Sequence, residues 1–135
     1  MKYCQVNPKM KNDKKRILLV DDERDITIAF HMGLESKGFI VDTFNDPQGA
    51  LSNFKAGLYD LLLIDIKMPK MNGFELYQEI EKIDNRVKVC FITAFEVYYK
   101  SLRELFPSMK VDCFIKKPIT TDELVERIRT ELGAS

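Results

Sequence analysis

The sequence predicts an α/β fold in which a parallel sheet of five strands is covered by helices on both faces. Its apolar runs are short and nearly continuous, which is typical of strands buried on both sides. Helical patterns separate the runs, so β and α elements alternate five times and right-handed crossovers make the sheet parallel. The runs are Ile17–Val20, Asp60–Ile64, Val87–Thr93 and Val111–Ile115, with Phe39–Phe44 as a fifth candidate.

The first helix is predicted by apolar and small residues that recur at the spacing of one helix face. Gly38 follows this pattern and is a plausible stop, because glycine readily adopts the backbone conformation that ends a helix. The residues on this face are Ile26, Ala29, Phe30, Gly33 and Leu34.

Two further helices are predicted by their start signals. Asp46 is followed by Pro47, an N-cap residue with proline at the first helical position. Asn72 with Glu75 three residues later resembles a capping box, in which each residue satisfies a backbone N–H of the other. Both signals precede apolar residues at helical spacing.

The last two helices differ in the strength of their signals. Val97–Phe106 is a weaker helix pattern that Pro107 ends. Thr120 with Glu123 repeats the capping-box signal before the final helix.

Length and charge indicate one soluble domain. The chain has 135 residues, typical of a single domain, and we predict a flexible basic tail over residues 1–15 and one domain over residues 16–135. Lys plus Arg and Asp plus Glu each number 21, and this zero net charge argues against direct nucleic-acid binding. The run Leu61–Ile64 is too short to cross a bilayer, so no membrane insertion is expected.

The three cysteines are Cys4, Cys90 and Cys113. Their number is odd, no CxxC motif is present, and two of them lie inside apolar runs. We therefore predict reduced core thiols in a cytoplasmic protein.

Residues with reactive side chains follow the predicted strands. Ligands of such sheets bind at the carboxyl ends of the strands, where Asp21, Asp22, Asp65, Thr93 and Lys117 are expected to converge. Three carboxylates that lie close together repel one another unless a cation neutralises them, and Mg²⁺ prefers such oxygen ligands. Each residue alone also fits a bland role, as a helix cap, a strand residue or a solvated lysine.

Asp65 directly follows a buried run, so its carboxylate is expected at the floor of this pocket. An aspartate carboxylate can attack phosphorus to form an acyl phosphate. The Thr93 hydroxyl can donate a hydrogen bond to a phosphoryl oxygen, and the Lys117 ammonium can pair with one.

Four segments together resemble the receiver domain of two-component response regulators. The resemblance extends from about Lys15 to Leu132, and the segment that begins at Asp65, with its D-x-x-M-P-x-M-x-G pattern, is specific by itself. It implies a flavodoxin-like (βα)5 fold with strand order 2-1-3-4-5. The segments are Leu19–Glu23, Asp65–Gly73, Ile92–Ala94 and Lys117–Ile119.

The resemblance also implies a role for each site residue. Asp65 is the expected phosphoacceptor, Lys117 the phosphate-pairing lysine in preference to Lys116, Thr93 the switch hydroxyl and Phe114 the aromatic that moves with it. A cis peptide is expected before Pro118. The expected Mg²⁺ ligands are Asp21, Asp22, Asp65 and the backbone carbonyl of Lys67.

Partners are implied in the same way. The phosphoryl donor is expected to be a sensor histidine kinase or a phosphotransfer protein. A stand-alone regulator would reach its protein target through the helices Tyr98–Phe106 and Thr120–Leu132 and the fifth strand.

Alternative functions stay open at this point. A pseudo-receiver would use the same surface without phosphorylation. A dehalogenase-type phosphohydrolase also uses a strand-end aspartate with Mg²⁺, but it requires a second acid where this chain has Lys67. A nucleotide-binding domain lacks support, because neither G-x-G-x-x-G nor a P-loop is present.

Overall fold

The computed structural model describes residues 14–94, Glu104 and residues 113–133. Within these ranges strands and helices alternate, apart from the interval between the last two strands, most of which lies outside the described residues. The elements are β1 Arg16–Val20, α1 Arg24–Ser36, β2 Ile40–Phe44, α2 Pro47–Asn53, β3 Leu61–Asp65, α3 Gly73–Ile83, β4 Lys88–Thr93, β5 Phe114–Lys116 and α4 Thr121–Gly133.

The five strands form one parallel sheet in the order β2-β1-β3-β4-β5. The predicted α/β fold and the strand order 2-1-3-4-5 are therefore confirmed. In the β1–β3 ladder Val20 lies opposite Ile64, so Asp21 and Asp65, the residues that follow these two, emerge side by side.

The sheet is buried on both faces, because alternate strand residues enter two separate cores. One core packs against α1 and α4 and includes Leu19, Leu63 and Ile92. The other packs against α2 and α3 and includes Val20 and Phe91. This two-sided burial explains why the runs read as continuously apolar in the sequence.

The helix start signals form as predicted. The Asp46 side chain accepts a hydrogen bond from the Gly49 amide, with Pro47 at the first helical position of α2. Asn72 and Glu75 form a reciprocal capping box at the start of α3.

The final helix starts with the same motif. The amide of Glu123 donates to the Thr120 hydroxyl at 3.1 Å, and the amide of Thr120 donates to the Glu123 carboxylate, also at 3.1 Å. All three helix starts predicted from spacing are thus hydrogen-bonded caps. The first helix, α1, for which no start signal was predicted, begins at Arg24 with no side-chain cap.

Some predictions fall outside the described residues. The helix predicted over Val97–Phe106 is one of them, apart from Glu104, and residues 1–13 of the predicted tail are another. The domain boundary at residue 16 stays a prediction, although the Lys15 carbonyl already accepts a hydrogen bond from Ile40. Among the described helices, none is both long enough and apolar enough to span a membrane.

The prediction of reduced thiols is wrong for two of the three cysteines. Cys90 in β4 and Cys113, directly before β5, are joined by a disulfide, with 4.6 Å between their Cα atoms. The sequence pattern concealed this pair because the cysteines are neighbours only through the register of two separate strands, which pairs Phe91 with Phe114.

Gly73, the first residue of α3, lies directly against the end of β3. A Cβ atom at this position would overlap the carbonyl oxygen of Asp65 and crowd the Cα of Ile66. Because the obstacle is backbone rather than a flexible side chain, the strand end cannot yield without moving Asp65.

We expect Gly73→Ala to lower the free energy of unfolding by about 1–3 kcal/mol through overpacking. Gly133→Ala is the matched control, since a Cβ atom there would meet nothing within 4 Å. Urea denaturation of both variants measures the difference, and equal stability for the two variants would contradict this account.

Candidate functional site

The predicted carboxylates meet at the carboxyl edge of the sheet. Asp21 follows β1 and is 0% exposed, and Asp65 ends β3 and is 5% exposed. Asp22 is exposed beside them. Each of the three offers a carboxylate oxygen, and these oxygens lie within 4.8 Å of one another.

Lys117 reaches this cluster from the residues that follow β5. Its Nζ lies 2.7 Å from Asp21 Oδ2, 3.6 Å from Asp65 Oδ1 and 3.5 Å from Glu23 Oε1. Its neighbour Lys116 is exposed. The peptide between Lys117 and Pro118 is cis, in agreement with the expectation from the resemblance.

Thr93 ends β4 next to Lys117 and is 3% exposed. The Lys117 amide donates a 2.7 Å hydrogen bond to the Thr93 carbonyl, so the backbone fixes these two residues together. A cleft of about 390 Å³ opens over the cluster, and its lining includes Asp65, Lys67 and Ala94.

Phe114 lies on β5, on the sheet face that packs against α3, and is half-buried. Its ring stacks on Phe91 with centroids 5.8 Å apart, and Phe74 meets it edge-on at 6.5 Å. Phe114 therefore lies at the border between the apolar core and the solvent.

Burial and neighbouring charges shift the pKa values of Asp65 and Lys117. Burial, together with the negative charges of Asp21 and Asp22, raises the pKa of Asp65 to about 7, although Lys117 opposes the shift. For Lys117, burial lowers the pKa, but the hydrogen bond and charge of Asp21 and the charges of Asp65 and Glu23 outweigh burial and raise it.

These residues fit a hard divalent cation. The three carboxylates lie beside one ammonium, that of Lys117, so the cluster carries excess negative charge when all three are ionised. Oxygen ligands at a partly open cleft are what Mg²⁺ prefers, because it keeps several waters and takes few protein ligands. Lys67 lines the same cleft, two residues beyond Asp65.

One residue of this region was missed from the sequence. The Asn45 amide donates 2.9 Å hydrogen bonds both to the Asp21 carbonyl and to the Thr27 hydroxyl, and it ties the acidic loop to α1. The only available signal was a polar residue directly after β2, at the same sheet edge as the other site residues.

A larger cleft of about 800 Å³ lies near the opposite end of the sheet, with Gly57, Asp84 and Arg86 in its lining. The Asp84 carboxylate there accepts hydrogen bonds from the Gly57 and Arg86 amides at 2.9 Å. The Asp84 carboxylate is therefore already paired with backbone donors.

Comparison with known families matches residues 17–129 to the response regulator receiver domain. The chain belongs to this family. The match begins at the second residue of β1 and includes the other four strands and the whole acidic cluster, so the receiver domain predicted from the motifs is confirmed.

Named relatives and solved structures agree with this assignment. The transcriptional regulatory protein DltR of Streptococcus agalactiae is 35% identical over 84% of this chain and 50% of its own length. A CheY-like receiver domain from Methanospirillum hungatei is 30% identical, with a TM-score of 0.79 over 90% of this chain and 95% of that one. TrrA of Thermotoga maritima, solved with Mg²⁺ and BeF, is 35% identical, with a TM-score of 0.73 over 87% of this chain and 98% of that one.

The chain spans about half the length of the curated relatives it matches. Receiver domains are signalling modules of two-component systems that interact with histidine kinases and downstream targets, rather than turnover enzymes, and they generally bind Mg²⁺.

The pKa of Asp65 predicts a pH dependence of stability. An acid with a raised pKa binds more protons in the folded chain, so its favourable contribution is complete below pH 3.8 and is lost as the pH rises to about 7. In EDTA, we expect the free energy of unfolding of the parent to fall across this range relative to that of Asp65→Asn, which stays neutral.

Denaturant titrations at several pH values measure this difference. Asp122→Asn, at an exposed aspartate that does not line the cleft, should run parallel to the parent. Parallel curves for the parent and Asp65→Asn would show that the folded chain does not raise the pKa of Asp65.

Proposed function

We propose that this receiver domain accepts a phosphoryl group on Asp65 from a phosphohistidine of a sensor histidine kinase or phosphotransfer protein. The observation that carries the proposal is the buried Asp65 carboxylate, which lies beside two further carboxylates and 3.6 Å from the Lys117 ammonium at an open cleft. A cluster that served only as a capped loop would not need a buried cation at its centre.

Each side chain has a defined part in the transfer. A carboxylate oxygen of Asp65 attacks phosphorus, the P–N bond of the donor breaks, and its electron pair returns to the imidazole. The Lys117 ammonium pairs with a phosphoryl oxygen, and the Thr93 hydroxyl donates to another. Asp21, Asp22, Asp65 and the Lys67 carbonyl would hold Mg²⁺, which offsets negative charge on the phosphoryl oxygens.

The switch follows from the same contacts. Once phosphorylated, Asp65 offers a new acceptor beside Thr93, and movement of Thr93 opens space at the end of β4. Phe114, half-buried on the neighbouring strand, moves inward with it. The surface that changes is that of β5 and α4 together with the predicted helix over Tyr98–Phe106, and a protein target docks there.

The domain acts in the cytoplasm through protein contacts, without touching nucleic acid itself and without turning over a substrate. The relative DltR is a transcriptional regulatory protein, and the match covers half of its length.

We expect one phosphoryl adduct after incubation with acetyl phosphate and Mg²⁺, and none for Asp65→Asn or in EDTA. Intact mass spectrometry measures the adduct, and Asp122→Asn should be labelled like the parent. A parent that no donor labels would indicate a pseudo-receiver, and an adduct that survives in Asp65→Asn would identify a different acceptor.

Lys117→Met should lower the rate of phosphorylation by about 100-fold, the size of effect seen when one buried donor to a developing charge is removed. Lys116→Met is the matched control, because this adjacent lysine is exposed. The rate of adduct formation distinguishes the two, and an equal loss in both variants would contradict the assignment to Lys117.

A further inference from the structure

The disulfide between Cys90 and Cys113 joins the two strands that carry the proposed switch. Cys90 precedes Thr93 by three residues on β4, and Cys113 directly precedes Phe114. The Phe91 amide also donates to the Cys113 carbonyl at 2.9 Å, so the covalent link reinforces an existing strand pairing.

The disulfide and the stacked rings of Phe91 and Phe114 are adjacent along the strands but lie on opposite faces of the sheet. Cys90 and Cys113 belong to the core beneath α1 and α4, whereas Phe91 and Phe114 pack on the α3 side. Because the cysteines immediately precede the stacked rings, a bond between them fixes the backbone spacing from which Phe114 projects.

The sulfur atoms are buried, with Cys90 0% and Cys113 1% exposed, so a thiol reaches them only when the edge strand β5 moves away from β4. Arg127 Nη2 of α4 lies 3.3 Å from Cys113 Sγ, and a cation at this distance stabilises a thiolate. A Glu131 carboxylate oxygen lies within 4.8 Å of both sulfurs and opposes this effect. The Arg127 cation also argues against a metal ion held by Cys90, Cys113 and Glu131.

The cellular setting makes a permanent disulfide unexpected. Reducing systems keep cytosolic thiols reduced, and disulfides that do form there are usually transient and take part in redox sensing or catalysis. A disulfide in a cytoplasmic receiver domain, as proposed above, is therefore one that opens and closes.

We propose that Cys90 and Cys113 form a reversible disulfide that is a second covalent input to this domain, and that the oxidised form is phosphorylated more slowly. The bond holds β5 against β4 and resists the movement of Phe114 that accompanies phosphorylation. Both steps rest on the proposed function: the opening and closing of the disulfide on its cytoplasmic setting, and the slower phosphorylation on Asp65 as the acceptor.

The chemistry balances with a low-molecular-weight thiol as the reductant. Its thiolate attacks Cys90 Sγ, the S–S bond breaks, and Cys113 leaves as the thiolate that Arg127 stabilises. A second thiol then attacks the mixed disulfide and releases Cys90, which takes up a proton, while the two small thiols end as their own disulfide. Oxidation by glutathione disulfide is the reverse sequence.

The test compares the full chain after treatment with glutathione disulfide and with dithiothreitol. Alkylation followed by mass spectrometry identifies Cys90 and Cys113 as the pair that opens. Rates of phosphorylation by acetyl phosphate should then differ by at least about fivefold, the lower end of typical coupling between two sites. Cys4→Ala should keep this difference, and a Cys90→Ala/Cys113→Ala variant should lose it.

Two charge variants test the mechanism without removing a cysteine. Arg127→Gln should slow reduction by dithiothreitol, because the leaving thiolate loses its cation, and Glu131→Gln should speed it. Rates that stay equal in both variants would overturn the assigned chemistry.

Further outcomes separate this inference from the proposed function. Equal phosphorylation rates in the two redox forms, or a disulfide that opens only when the chain unfolds, would overturn the inference. If neither form is phosphorylated, the proposed function fails. The NMR shifts of the Phe114 ring then decide the redox effect, with distinct shifts for the two forms supporting it and identical shifts overturning it.

Discussion

The concentration of negative charge at one sheet edge is the constraint on which the rest of this structure depends. Asp21 and Asp65 are buried, and one ammonium, that of Lys117, lies between them. Two unit charges about 4 Å apart repel by about 4 kcal/mol even at an effective dielectric constant of about 20. A bound cation would offset this repulsion.

The topology makes this arrangement unavoidable. Because β1 and β3 are adjacent and in parallel register, the residues after Val20 and Ile64 must emerge together. Each of these residues follows a run that pattern alone identifies as a buried strand. Most of the candidate site could therefore be predicted from strand ends and the parallel rule, without any knowledge of side-chain geometry.

The Asn45 hydrogen bonds and the Cys90–Cys113 pair could not be predicted from the sequence, because both depend on how distant segments align. Asn45 is a polar residue after a strand, and nothing local indicates that its amide spans from the Asp21 carbonyl to Thr27. The Cys90–Cys113 pair is similar, since two cysteines 23 residues apart become neighbours only when β4 and β5 align. Helix caps were predictable because both partners lie within one turn.

The disulfide joins β4 and β5, the two strands that also carry Thr93 and Phe114. β5 is an edge strand of three residues with one neighbour, so few ladder hydrogen bonds hold it. Elements with few such contacts lie at the low-stability end of a domain and are the ones that move in switching. A disulfide across this one ladder restrains the least constrained strand of the sheet, and the same strand presents Phe114 to the surface. Covalent chemistry at Asp65, at the carboxyl edge of the sheet, and at the cysteine pair would therefore converge on one mechanical element.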